Sequence, residues 1–186
     1  EHILVRYGDV PLIKPDTLRQ LLASTRAGAI GILTLITKNN KGLGRILRNE
    51  ANDVIGIVEE KDASDLQKEI KEVNSGIMAL PVARLESWLN RVENNNQQSE
   101  YYLTDIIGLA VSEKVAINSV VVINEIEAQG VNDKSQLALV ERHFQMTNCT
   151  QLLEEGVILK DPSRTDIRGE LSCGNGVEID FNTLFE

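Results

Sequence analysis

The sequence is poor in the residues that carry covalent catalysis. It holds two cysteines, Cys149 and Cys173, with no paired metal-ligand spacing. That excludes a disulfide framework and a structural zinc site, and it reads most simply as a reduced, cytoplasmic compartment. It holds two histidines, His2 and His143. Neither has a Ser or Cys partner in a turn, so a histidine-assisted nucleophile is excluded. No apolar run reaches the roughly 18 residues that a membrane-crossing helix needs, and no signal-peptide pattern stands at the start. Positive charge is scarce as well. Nineteen Lys and Arg against 28 Asp and Glu leave a formal net charge of −9. That balance argues against non-specific nucleic-acid binding and against an anionic membrane surface. Nucleotides remain open, because a local site can hold phosphate through a metal and backbone N–H groups.

What is present is ordinary for a globular chain: 186 residues, 42% hydrophobic and 25% charged. This suffices for one full core and a small second unit. Ile3 to Tyr7 is an apolar run of parallel-strand type ending at Gly8-Asp9. Glu1 leads almost directly into it, which creates the expectation that an element precedes it. Pro15-Asp16 opens a helix, and Ala29 to Thr37 is a strand. "RILRNEANDVIGIVEEKD" reads as a hairpin turning at Asn52-Asp53. A short helix over Ala63 to Lys71, a strand "VNSGIMALPV" loosened at Gly76, and helices over Arg84 to Val92 and Tyr101 to Val111 follow. Ser119 to Ile123 is a further strand. Alternation of this kind implies an α/β sheet with ligands at the carboxyl ends of strands.

From Asp133 to Gly156 the pattern is one long helix, capped by Asp133 and stopped by Gly156, with Leu137, Val140 and Phe144 as its apolar face. Beyond it Ile167, Cys173, Ile179 and Phe185 recur every six residues, with Leu171, Val177 and Thr183 as a second column. Hexapeptide recurrence is the signature of a parallel β-helix, and three hexapeptides make about one coil. A single coil leaves its stack unfinished, so further coils are expected after it.

Several residues invite chemistry, each with a plainer reading beside it. Asp9, after a strand, is either a turn former or a Mg²⁺ ligand, since Mg²⁺ often takes only one or two protein oxygens. "KGLGR" is no phosphate loop, because a strand follows rather than a helix. Gly44 there instead permits close approach of a ligand to the backbone. Glu59 is an exposed hairpin carboxylate or an acceptor for sugar hydroxyls. Asn74, in an apolar strand, needs partners that a ligand could supply. Asn132 in "QGVND" serves a turn, a cap or a ligand.

Taken in order, "YGDVPLI", "GLGRI", "GIVEEKDAS", "EVNSGI", "NNNQQSEYYLTDI" and "EAQGVNDKSQLALVER" resemble the bacterial bifunctional N-acetylglucosamine-1-phosphate uridyltransferase / glucosamine-1-phosphate N-acetyltransferase family. "GVILKDPSRTDIRGELSCGNGVEID" is similar to the start of that family's acetyltransferase β-helix. The resemblance implies an α/β, Rossmann-like nucleotidyltransferase domain, N-terminally incomplete, over residues 1–134. A linker helix over 135–155 and the first coil of a left-handed β-helix over 156–186 would follow.

It further implies Mg²⁺-dependent conversion of UTP and N-acetylglucosamine 1-phosphate to UDP-N-acetylglucosamine and pyrophosphate. That product feeds peptidoglycan and lipopolysaccharide precursors. Asp9 and Asn132 match the Mg²⁺ ligands. Tyr7, Gly8, Asp9, Gly44, Glu59, Asn74 and Asn132 match the UDP-N-acetylglucosamine site. Acetyl-CoA would enter only through acetyltransferase coils outside this sequence, and the full-length protein is expected to be a homotrimer. Leu43 departs from the Tyr that relatives often carry there, and Cys173 stands at an inward hexapeptide position. The family's Gly-rich, basic triphosphate loop does not occur here, so the chain by itself is expected to be inactive. The competing readings are another sugar-1-phosphate nucleotidyltransferase and an inactive assembly fragment.

Overall fold

A computed structural model describes residues 1–186, which divide into two compact units, Glu1–Gln129 and Gly130–Glu186. The first unit is built on a six-stranded sheet ordered β4-β3-β5-β2-β6, with β1 also paired to β5. In chain order its elements are β1 (His2–Val5), α1 (Pro15–Ser24), β2 (Ile30–Ile36), β3 (Arg45–Arg48), β4 (Val54–Val58), α2 (Asp65–Lys68), β5 (Glu72–Pro81), α3 (Val82–Leu89), α4 (Asp105–Ser112) and β6 (Ile117–Val121).

The two central strands are apolar at both alternating sets of positions, which places them under cover on both faces. Leu33, Leu35, Val73, Ile77 and Ala79 enter one core with Leu21 of α1. Ile30, Ile32, Met78 and Leu80 enter the other with Trp88 of α3 and Ile106, Ile107 and Ala110 of α4. Each large side chain so buried contributes roughly 1.5–3 kcal/mol.

The sheet is mixed. Only β2 and β6 pair in parallel, whereas β1 and β2 each run antiparallel to β5. The parallel-type reading of the first run is therefore corrected: a run apolar on both faces reports burial, not strand direction. That strand also stops at Val5. Tyr7, Gly8 and Asp9 lie in the following turn, closed by the Val10 N–H on the Tyr7 carbonyl at 3.4 Å. The hairpin turns where its sequence says it should. Asn52 takes φ 68°, and the Asn49 side-chain oxygen accepts from the Asp53 N–H at 2.8 Å.

Helix α2 is a single turn closed by a reciprocal capping box between Ser64 and Gln67. It is shorter than expected because the Asn40 side chain takes the carbonyls of Lys68 and Ile70. Helix α4 begins at Asp105 rather than Tyr101, since Tyr102 and Leu103 first form turns that leave Thr104 facing Glu59.

The second unit begins with α5 (Lys134–Glu154), capped by the Asp133 carboxylate on the N–H groups of Ser135 and Gln136, both at 2.8 Å. Its buried positions are Val140, Gln145, Cys149 and Leu152. Leu137 and Phe144 are exposed, which corrects the expected apolar face. Gln145, Cys149 and Leu152 form an i, i+4, i+7 stripe that packs on the turns after the helix.

Those turns carry β7 (Ile158–Leu159), β8 (Thr165–Ile167), β9 (Glu178–Ile179) and β10 (Thr183–Phe185). β10 pairs in parallel with β8, placing Thr183 opposite Thr165, three hexapeptides back. β9 pairs in parallel with β7, Ile179 opposite Leu159. Ile167 and Ile179 are buried with Leu152 and Val157, and Cys173 and Phe185 are partly buried against them. No helix in the chain is long and apolar enough to cross a membrane.

Candidate functional site

Three of the residues singled out from sequence meet at one edge of the first unit. Gly44 precedes β3, Glu59 follows β4 and Asn74 lies in β5. The Asn74 N–H donates to the Gly44 carbonyl at 2.8 Å. A Cβ at Gly44 would stand 2.9 Å from Ile57 Cγ2 and 3.2 Å from both carboxylate oxygens of Glu59. Only glycine leaves that carboxylate where it is. Asn74 is buried, and its Oδ1 accepts from the Gly76 N–H at 3.1 Å, which leaves its side-chain NH₂ as a donor for a ligand.

Tyr7 joins this cluster through β5. Gly76 holds φ +80°, and a Cβ there would fall 2.0 Å from Tyr7 Cε2. The Cε2 edge of the Tyr7 ring therefore stands against the glycine of a local irregularity, where the β2–β5 register shifts between Ile32 and Thr34. Tyr7, Gly8 and Asp9 are exposed on the turn after β1.

A cavity of about 350 Å³ opens beside Glu59, with Asp62, Glu93, Asn96, Tyr102 and Asp105 on its wall. Four carboxylates in one recess repel phosphate and suit hydroxyl donors. Partial desolvation, with the Asp62 carboxylate beside it, pushes the Asp105 carboxyl up from its ordinary value. Thr104 donates its hydroxyl to Glu59 Oε1 at 2.8 Å. Thr104 escaped the sequence reading. It is buried, it lies 45 positions from its partner, and nothing local marks it.

The metal candidates sit apart in the chain. Asp9 offers an exposed carboxylate in the first unit, a hard oxygen donor of the kind Mg²⁺ takes. Asn132 is exposed in the second unit, its backbone N–H donating to Gln136 Oε1 at 2.6 Å, so its side-chain oxygen also remains available. No group of three or more His, Cys, Asp or Glu forms a preassembled metal cage. A cation held partly by substrate phosphates needs none.

These features define a class before any relative is considered: a mixed α/β fold with a polar recess at the sheet edge. A Bacillus anthracis structure described as a glucose-1-phosphate thymidylyltransferase in complex with a sucrose shares the fold. The TM-score is 0.54 at 13% identity, covering 75% of this chain and 53% of that one. No protein-family model matches the chain. Curated relatives match it closely and along nearly its whole length. The bifunctional protein GlmU of Pseudomonas putida KT2440 is 48% identical over 184 residues, 99% of this chain. The GlmU proteins of Azoarcus sp. BH72 and Aromatoleum aromaticum are 51% and 53% identical over 183 residues. On this similarity the chain belongs to the bifunctional GlmU family. It spans 40% of the length of the relatives it matches.

Proposed function

We propose that this chain carries the sugar-binding side of a uridyltransferase. The reaction joins N-acetylglucosamine 1-phosphate to UTP, giving UDP-N-acetylglucosamine and pyrophosphate. The observation that carries the proposal is that Gly44, before β3, stands against the Glu59 carboxylate, after β4, and is held by the Asn74 N–H of β5, with the recess opening beside Glu59. Glu59, steadied by Thr104, accepts sugar hydroxyls, and the Asn74 amide donates. The close backbone at Gly44 lets the ring approach. Tyr7 and the turn it opens flank the same edge.

The chemistry needs no covalent enzyme intermediate. A phosphate oxygen of the sugar phosphate attacks the α-phosphorus of UTP in line, and pyrophosphate leaves. The protein's part is positioning and electrostatic stabilisation. Mg²⁺, when bound, supplies charge neutralisation for the phosphates. Asp9 is the ligand proposed from the first unit, and Asn132 the one proposed from the motif in the second. The parallel strand pairs after α5 support reading residues 156–186 as the opening coil of a β-helical acetyltransferase part. Acetyl-CoA use, homotrimer formation and a place in cell-envelope precursor synthesis belong to the same proposal. No Gly-rich basic loop occurs in these 186 residues, so the chain alone is proposed to turn over little UTP.

The test uses the protein as its gene encodes it. Glu59→Ala should raise KM for N-acetylglucosamine 1-phosphate by about 10–100-fold, the loss of one buried polar contact, with KM for UTP little changed. Equal use of both substrates by the variant and the unsubstituted enzyme would sink the assignment. A panel of other sugar 1-phosphates and nucleoside triphosphates decides the substrate class.

A further inference from the structure

Beside Glu59 lies a charge pair, its arginine buried and its glutamate partly exposed, that the proposed chemistry does not use. Arg45, the first residue of β3, is only 1% exposed. Its Nη2 donates to Glu60 Oε2 at 2.8 Å, and its Nη1 donates to the Leu43 carbonyl. The same Glu60 oxygen accepts the Gly42 N–H at 2.7 Å. Together with the Asn74 N–H on the Gly44 carbonyl, these bonds pin three consecutive residues, Gly42, Leu43 and Gly44.

Glu59 and Glu60 are neighbours in the chain but serve different partners. Glu59 turns its carboxylate to Gly44 and Thr104, whereas Glu60 turns to Arg45 and Gly42. The second contact therefore sets the first. A shift of Glu60 moves the backbone that carries Glu59, and a shift of Arg45 moves the backbone that carries Gly44.

Stability alone does not account for the pair. Arg45 Nε is buried without a partner, and a buried ion pair with an unsatisfied donor gives little net stabilisation over an apolar substitute. What the pair does give is a fixed geometry, because a guanidinium fork holds two acceptors at set directions. The Arg45 guanidinium and then the Gly42 N–H also hold the Glu60 carboxyl below the ordinary carboxylate range.

We propose that Arg45 and Glu60 are a positioning pair that sets the gap between Gly44 and Glu59 and thereby the affinity for the sugar phosphate. This rests on the reading of Gly44 and Glu59 as sugar-facing. Neither member touches substrate. Their effect runs through the loop they hold.

The experiment compares Arg45→Lys, Glu60→Ala and Glu60→Gln in the protein as its gene encodes it. Arg45→Lys keeps the charge and loses the fork, and Glu60→Ala loses both contacts. Each should raise KM for N-acetylglucosamine 1-phosphate by about tenfold, the usual scale for one misplaced polar contact, while kcat and KM for UTP stay within about twofold. Glu60→Gln keeps an acceptor and should recover most of the loss. Amide hydrogen exchange at Gly42 and Gly44 should quicken in the first two variants. If Arg45→Lys does not fold, Glu60→Ala, altered at the less buried partner, decides. A folded Glu60→Ala protein with unchanged sugar-phosphate KM would overturn the proposal, as would a loss spread equally over both substrates and kcat. If the unsubstituted protein does not use these substrates, the functional reading fails instead. Unchanged exchange at Gly42 and Gly44 would then overturn the positioning role independently.

Discussion

The candidate site depends on single atoms more than on surfaces. At Gly44 one methyl group is the difference between an open recess and a displaced carboxylate. Gly44→Ala places its Cβ 2.9 Å from Ile57 Cγ2 and 3.2 Å from the Glu59 oxygens, closer than ordinary van der Waals contact. The expected outcome is a folded protein with a higher KM for the sugar phosphate. Adding Ile57→Ala removes the Cγ2 overlap, one of the two, and should restore part of the affinity, as steady-state kinetics on the two variants would show.

A different residue-scale argument holds at Glu72. Its carboxylate takes Arg48 Nε at 2.7 Å, Arg48 Nη2 at 2.6 Å and the Thr34 hydroxyl at 2.9 Å. These bonds, the Arg48 hydrogen bond first, hold the Glu72 carboxyl below its ordinary value against the opposing cost of burial. A depressed carboxyl contributes stability that is fully present above its unfolded value and is lost as pH falls through the folded one. Thermal melts should therefore lose midpoint as pH drops into and below the ordinary carboxylate range. Glu72→Gln should lower the neutral-pH stability by about 1.5–3 kcal/mol, the scale of hydrogen bonds to charged groups. It should also flatten the acid slope. An acid slope as steep in Glu72→Gln as in the unsubstituted protein would count against this assignment.

At the scale of elements, the turn that carries Asp9 is held from a distance. Helix α1 has no side-chain cap of its own, because Lys14 occupies the N-cap position and Pro15 follows. Glu127, buried in the 3₁₀ turn Glu125–Ala128, fills that role. It accepts the Lys14 N–H at 3.1 Å and the Thr17 hydroxyl, placing a carboxylate at the positive end of the helix. Glu127→Ala removes this acceptor from the Lys14 N–H and the Thr17 hydroxyl, at the cost of a lost helix cap, about 0.5–2 kcal/mol. The substitution should loosen residues 6–14 and raise the Mg²⁺ concentration needed for half-maximal rate. A metal titration showing no shift would separate a stability role from a positioning one.

This contact marks the limit of reading from sequence. Pro15-Asp16 announced the helix, and Asn52-Asp53 announced the hairpin, because both signals are local. The Glu127 cap, the Thr104–Glu59 bond and the Arg45–Glu60 pair involve partners separated by strands and loops, and no periodicity encodes them. The direction of β1 was illegible for a related reason. Burial on both faces erases the alternation that distinguishes one kind of sheet from another.

For the whole molecule, the long helix from Asp133 to Gly156 was legible in the sequence, since both its cap and its stop are local signals. The face of α5 was not. Leu137 and Phe144 are the more apolar choices, yet the helix turns Gln145 inward. The reason is the buried edge of β8 away from β10, where Ile167 has backbone groups to satisfy. The Gln145 amide meets both of them, accepting the Ile167 N–H at 2.7 Å and donating to the Ile167 carbonyl at 3.1 Å. A glutamine side chain thus stands in for a neighbouring strand and joins α5 to β8 within the second unit. Gln145→Leu keeps the volume and strands both groups in a buried setting. It should destabilise the second unit by about 2–6 kcal/mol if each unmet group costs its usual 1–3. The loss would appear as earlier unfolding of residues 130–186 in hydrogen exchange, with protection of β2 and β5 unchanged. Equal loss of protection in both units, or none in either, would show that Gln145 does not hold β8 to the helix.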